Sequence, residues 1–192
     1  MNKREQQRQD RRNQILLCSL DMIISRGYEA MKIRDIAKKL EISTGLFFNY
    51  FVSKEEVYEE LVRIGVQGPE NVLKFNPSIT SPIKIFENIT DNIFNALITS
   101  SMSAKMFLLM SQAANSEAAP EKVKEMLRNL DAITPVLTVI KKGQQLGEIK
   151  SGNPTALAVA YWGAVQGIAE SYAMRPELPL PESSWVVDIL RA

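Results

Sequence analysis

The sequence predicts an all-α protein of about nine helices, and three observations carry that expectation. Apolar residues recur at i, i+3, i+4 and i+7 along most of the chain, the spacing of one helical face. Start and stop signals punctuate these runs: Ser53-x-x-Glu56, Ser81-Pro82 and Asn153-Pro154 read as caps, Gly27 and Gly147 as stops. The alternating runs that a strand would need are short and fall inside helical stretches.

Each element follows in order. Residues 1–11 are polar and predicted to fray, a loose arm whose Lys3, Arg4, Arg8 and Arg11 could reach phosphates. Residues 12–26 form the first long helix, with Leu16, Leu20, Ile23 and Ile24 as its apolar stripe. Ile33, Ile36, Ala37 and Leu40 mark a short second helix, and Glu41 to Ser43 a tight turn. Ser43 caps a third helix over 44–50, too short to stand alone in water. Phe47 and Phe51, four apart, dock it; Thr44, Gly45, Phe48 and Asn49 then point outwards, with Tyr50 at their edge. Two helices, a tight turn and a polar-aromatic outer face describe a helix-turn-helix.

Ser53 opens the next helix, and Gly65, Gly68 and Pro69 predict its end, followed by a loop over 68–81 that contains Pro77. Further helices are expected over 82–100, 102–114 and 120–146, the last kinked or divided by Pro135. A long helix over 154–175 is rich in small residues, among them Ala160, Gly163, Ala164 and Gly167, which admit another helix closely. A short final helix over 182–191 carries Trp185 and Ile189. Two copies of these last helices are expected to form a four-helix homodimer interface.

Composition narrows the function classes. At 192 residues, 45% hydrophobic and 23% charged, the chain suits one large or two small domains with a sizeable core. Cys18 stands alone, so no intramolecular disulfide is possible, which fits a reducing, cytoplasmic setting. The charged start, with no apolar segment directly after it, is not a signal peptide. The longest weakly polar run, 155–169, is below the roughly 18 residues of a membrane span, so no membrane association is expected. There is no histidine, which removes the commonest general base and transition-metal ligand. No catalytic residue, metal or cofactor is expected. Charge is unevenly spread: residues 1–54 hold eleven Lys or Arg against six Asp or Glu, net +5, whereas 55–192 are net −4. A basic head on an acidic body suits a protein that touches phosphates with one end.

Gly27-Tyr28, Ile36-Ala37, Ile42-Ser43, Gly45, Tyr50-Phe51 and Ser53-Lys54-Glu55 together resemble the amino-terminal signature of the tetracycline-repressor (TetR) family, over about residues 12–61. The resemblance implies a helix-turn-helix domain over 1–54, continuing into a connecting helix over 54–67, and an effector-binding and dimerisation domain over 68–192. It implies a homodimeric repressor on a palindromic operator in double-stranded DNA, with contacts from Lys32, Arg34, Ser43, Thr44, Gly45, Leu46, Phe48, Asn49, Tyr50 and Lys54. Asn49 suits adenine; Leu46 and Phe48 suit a thymine methyl or a sugar; Tyr50 and Lys54 suit phosphate. Two positions depart from the pattern. Lys32 stands where a capping Thr is usual, and Glu41 where Gly is usual, each at a cost of about 1 kcal/mol.

The same resemblance implies a small-molecule effector in an apolar cavity. Candidate wall residues are Phe86, Phe94, Met102, Met106, Phe107, Met110, Tyr161 and Trp162, with Gln166, Asn92 or Gln112 to orient the ligand. Two rivals stay open: a DNA binder of this fold without an effector, and a helical interaction protein whose head no longer reads DNA.

Overall fold

The structure is a computed structural model that describes residues 2–72 and 81–192. It is helical, with one isolated bridge between Ile149 and Arg191. Among the described residues there are ten helices: α1 (Lys3–Arg26), α2 (Ile33–Lys39), α3 (Thr44–Phe48), α4 (Lys54–Val72), α5 (Pro82–Thr99), α6 (Ser101–Ala114), α7 (Glu121–Arg128), α8 (Thr134–Gln145), α9 (Pro154–Met174) and α10 (Ser183–Val187). The count exceeds the expected nine because Pro135 does not kink a continuous helix. It occupies the first turn of α8, where its missing N–H costs nothing. No single described helix is long and apolar enough to cross a membrane.

Four boundaries differ from the sequence reading, the mildest being α3, which ends at Phe48 rather than residue 50. Helix α1 starts at Lys3 rather than residue 12. The Asn2 side chain accepts from the N–H groups of Arg4 and Glu5, while Glu5 accepts from the Asn2 N–H, so a capping box holds turns predicted to fray. Helix α4 runs through Gly65, Gly68 and Pro69 to Val72, so the loop expected over 68–81 is helical at its start. Its remainder, with Pro77, lies outside the described residues. Gly65 is there for proximity rather than for ending a helix: a Cβ on it would lie 2.4 Å from Met110 Sδ. Helix α10 is also shorter than the 182–191 expected.

The chain divides into two compact units. One comprises Met1–Val66 with Leu108–Asn129, the other Gln67–Phe107 with Leu130–Ala192. The sequence-based division at 67/68 is contiguous, whereas here the second half of α6 and all of α7 belong with the head. Within that first unit Lys122 pairs with Glu59 at 2.5 Å, and the Gln112 amide donates to the Ile24 carbonyl at 3.2 Å. Gln112 therefore serves the carboxyl end of α1, whose last carbonyls lack helical partners.

In the second unit α5 buries Ile83, Phe86, Ile89, Ile93, Phe94 and Leu97 against α8, α9 and α10. Ser81 caps α5 through the Lys84 N–H, with Pro82 in the first turn. Glu148 reinforces that end, its carboxylate accepting from the Ser81 hydroxyl at 2.6 Å and the Ile83 N–H at 3.2 Å. Asn153 caps α9, and Gly147, at φ +71°, ends the preceding helix.

The polar centre of this core is one hydroxyl pair. Thr90 donates to the Phe86 carbonyl at 2.9 Å, so it accepts from the Tyr161 hydroxyl, also at 2.9 Å. Burial pushes the Tyr161 phenol well above its usual range, so it remains a donor. The two hydroxyls are not equivalent. Thr90→Val leaves a buried phenol without its acceptor and should cost about 1–3 kcal/mol. Tyr161→Phe removes that donor while Thr90 keeps its own bond, and should cost less, about 1 kcal/mol. Urea unfolding of both variants checks the order, and equal losses would contradict this account of the pair.

Candidate nucleic-acid interface

Helix α3 has five residues, fewer than a free helix needs. Two interactions hold it. Ser43 Oγ accepts from the Leu46 N–H at 3.0 Å. Phe47, fully buried, and Phe51, 1% exposed, meet at 6.1 Å between ring centroids and anchor the helix from behind. Arg12 closes over Phe51, its guanidinium 4.7 Å from that ring centroid and 3.1 Å from Glu60.

With Phe47 inward, the opposite face is committed to solvent. Ser43, Thr44, Gly45 and Asn49 are exposed, and Phe48 is 51% exposed, edge-on to Phe47 at 5.6 Å. Leu46 and Tyr50 are half-buried at the flank. Among the described residues neither the Thr44 hydroxyl nor the Asn49 amide has a hydrogen-bond partner in the protein. Lys32 and Arg34 are exposed at the start of α2. Lys32 offers no side-chain cap, consistent with its place where a capping Thr would sit.

The turn before α3 carries the backbone cost that the sequence suggests. Glu41 has φ +54°, a left-handed conformation that disfavours every residue with a Cβ.

Lys54 is placed differently from expectation. Its ammonium lies 3.3–3.5 Å from the carbonyls of Tyr28, Glu29 and Met31, and 4.5 Å from the Tyr28 ring centroid. It closes the turn between α1 and α2 instead of standing free for phosphate. Tyr28 is the hub of that turn: it stacks on Tyr58 at 4.5 Å and donates to Glu55 at 2.8 Å. Burial opposes charge on Glu55, but the Tyr28 hydroxyl, its own backbone N–H and Ser53 together hold its pKa below the usual range. At the start of α4, Ser53 accepts from the Glu56 N–H at 3.2 Å, while Glu56 takes the N–H of Val52 rather than that of Ser53.

Sequence reading placed Arg4, Arg8 and Arg11 within reach of phosphates as a loose arm, but missed that they are ordered as the amino-terminal turns of α1. Arg4, Gln7, Arg8, Asp10, Arg11 and Gln14 line a groove of about 800 Å³ whose other wall is Leu46, Asn49 and Tyr50. The Asn2-x-x-Glu5 spacing was the available signal for it.

The residues expected around an effector are not all gathered. Phe86 and Tyr161 are fully buried and pack edge-on at 4.9 Å; Phe94 and Met106 are also buried. Trp162 lies 5.1 Å from Tyr161, and the Gln166 amide donates to the Phe107 carbonyl at 3.3 Å. Met102 is half-buried. Asn92 does not belong with them: it is exposed and bonds to Asn88, because α5 turns Ile89 and Ile93 inward. Met110 belongs to the other unit, against Gly65. Of the expected interface residues, Ala160, Gly163 and Gly167 are exposed on one face of α9, and Trp185 is 62% exposed. Ile189 is half-buried, and Ala164 packs inward on the core of its own unit.

Residues 15–61 match the family described as bacterial regulatory proteins, tetR family. The HTH-type transcriptional repressor KstR2 of Mycolicibacterium smegmatis is 38% identical over 53 residues, 28% of this chain and 26% of that protein, so the match spans about a quarter of the curated relative. A TetR-family transcriptional regulator from Agrobacterium tumefaciens superposes with a TM-score of 0.72 at 19% identity, covering 96% of this chain and 100% of that one. The MbdR regulator from Azoarcus sp. CIB gives 0.71 at 20%, covering 93% and 96%. The TetR-family regulator PfmR from Thermus thermophilus gives 0.69 at 19%, covering 92% and 96%.

Relief of the Glu41 strain is directly testable. Glu41→Gly should raise stability by about 1 kcal/mol, since only Gly adopts φ +54° at no steric cost. Thermal unfolding measures it, and an unchanged or lower midpoint would show that the Glu41 side chain compensates.

Proposed function

From a chain that carries a tetR-family amino-terminal domain on that family's fold, we propose a homodimeric DNA-binding transcriptional repressor. The observation that carries this reading is the two-sided build of α3. Its apolar side is spent on Phe47, and its other side presents Thr44, Phe48 and Asn49, with the Thr44 and Asn49 groups uncommitted within the protein. Such a helix fits a B-DNA major groove, where Asn can take adenine N6 and N7 together and an aromatic ring can meet a thymine methyl. Two subunits would place two such helices on half-sites of a palindrome, about 34–36 Å or a multiple apart.

Dimerisation through α9 and α10 completes the reading. Ala160, Gly163 and Gly167 line an exposed face, and a Cβ at either glycine would meet nothing within 4 Å in the single chain. That room suits close helix–helix approach. Release of the operator by a small apolar or aromatic effector in the second unit is supported by one observation. The Trp162 indole N–H is buried with no protein acceptor among the described residues. A carbonyl or ether oxygen on an effector would satisfy it.

Selection of bound duplexes from a random pool tests the DNA reading. A palindromic consensus is expected, and Asn49→Ala should relax it at one base pair per half-site, a loss of about 1–3 kcal/mol. Failure of the wild-type protein to enrich any duplex would reject the reading. For the dimer, Gly163→Phe should keep the helical circular dichroism spectrum while the protein sediments as a monomer; a persistent dimer would move the interface elsewhere. For the effector, aromatic and apolar ketones that raise the melting temperature should lose that effect in Trp162→Phe. A shift that survives this substitution would remove the indole from the site.

A further inference from the structure

The first three turns of α1 bury no side chain, yet they are well held. Asn2 and Glu5 box the start, and Gln6–Asp10 and Gln9–Asn13 hydrogen bonds of 2.9 and 3.0 Å run along the surface. On this segment Arg4, Arg8 and Arg11 stand at i, i+4 and i+7, one ridge of a helix. Like charges at that spacing repel and weaken a helix. Arg12, Arg34, Arg63, Arg128 and Arg191 each have a carboxylate partner. Arg4, Arg8 and Arg11 have none among the described residues. They line the groove whose other wall is Leu46, Asn49 and Tyr50 at the end of α3, and its one acid, Asp10, is held by Gln6.

We propose that this ridge is a second DNA-contacting element, which grips the phosphates of a strand running in the groove between α1 and α3. Residues 4 to 11 span about 10 Å of helix axis at 1.5 Å per residue. Four successive phosphates of one strand, three steps of about 3.4 Å along the duplex axis, cover a similar length. Guanidinium groups are the side chains best matched to phosphate oxygens. A rigid ridge also loses less conformational entropy on binding than a loose arm would. This inference rests on the reading of α3 as the element that meets DNA bases. It adds affinity and register and carries no base information of its own.

The test uses the full chain. The salt dependence of binding to a random-sequence duplex is compared for wild type, for Arg4→Gln/Arg8→Gln/Arg11→Gln, and for Arg175→Gln as an exposed-arginine control on the other unit. Glutamine and arginine have similar helix propensity, so circular dichroism should be unchanged. Each phosphate contact contributes about 0.9 to the slope of log K against log salt. The triple variant should lose about 2 to 3 from that slope and keep the base preference of wild type, while Arg175→Gln keeps the full slope. Should the triple variant lose helix, each single variant should lose about 0.9 instead. A wild type that binds duplex and a triple variant with the same slope would overturn the ridge proposal alone. Loss of polyglutamate binding in that case would assign the ridge to an acidic protein partner. A wild type that binds no duplex at low salt would overturn the reading of α3 as well.

Discussion

The head depends on the burial of Phe47 and Phe51. Five residues of helix have one or two internal hydrogen bonds, which do not offset the entropy of ordering them. The two rings supply what the helix lacks, and Arg12 covers Phe51 with a guanidinium that also pairs with Glu60 on α4. Once the rings are fixed, the helical repeat decides the rest. Phe48 and Asn49 must face away, whatever their own preference for burial. Phe48, 51% exposed, is among the groups that the proposed DNA contact would cover. The same geometry therefore stabilises the head and creates the surface proposed to read DNA.

Much of this was legible in the sequence because it rests on local signals. The Ser43 cap and the docking pair four residues apart follow from spacing and propensity; the missing cap at Lys32 and the left-handed turn residue at Glu41 follow from the resemblance to the family pattern. So do Ser81-Pro82 and Asn153-Pro154 as starts of α5 and α9. What was not legible depended on contacts distant in sequence. Lys54 reads as a phosphate ligand until the carbonyls of Tyr28, Glu29 and Met31 are seen around its ammonium. Gln112 and Met110 read as pocket residues from the sequence, while α6 divides between units and groups both with the head, which no periodicity reports. Asn92 was a different failure: the inward spacing of Ile89 and Ile93 already required it to face out. The order of the amino-terminal turns was missed for a third reason. Polar composition suggested fraying, and the Asn2-x-x-Glu5 capping signal was not read.

The two units use polarity in different ways. In the head, polar side chains tie elements together: half-buried Tyr28 to Glu55 and Arg12 to Glu60, and exposed Gln112 to the end of α1. In the second unit the core is almost wholly apolar, with the Thr90–Tyr161 pair at its centre and the Glu148 carboxylate at one end. A directional bond specifies one arrangement, while an apolar core tolerates repacking at modest cost. A head that must present fixed geometry and a body proposed to admit ligands of varied shape would be built in these two ways.

Gly65 and Met110 share a space that holds one side chain. Their fates are therefore tied during divergence. A lineage that enlarges residue 65 must shorten residue 110 or swing its thioether aside. Aligned descendants of this protein should show those two columns trading volume.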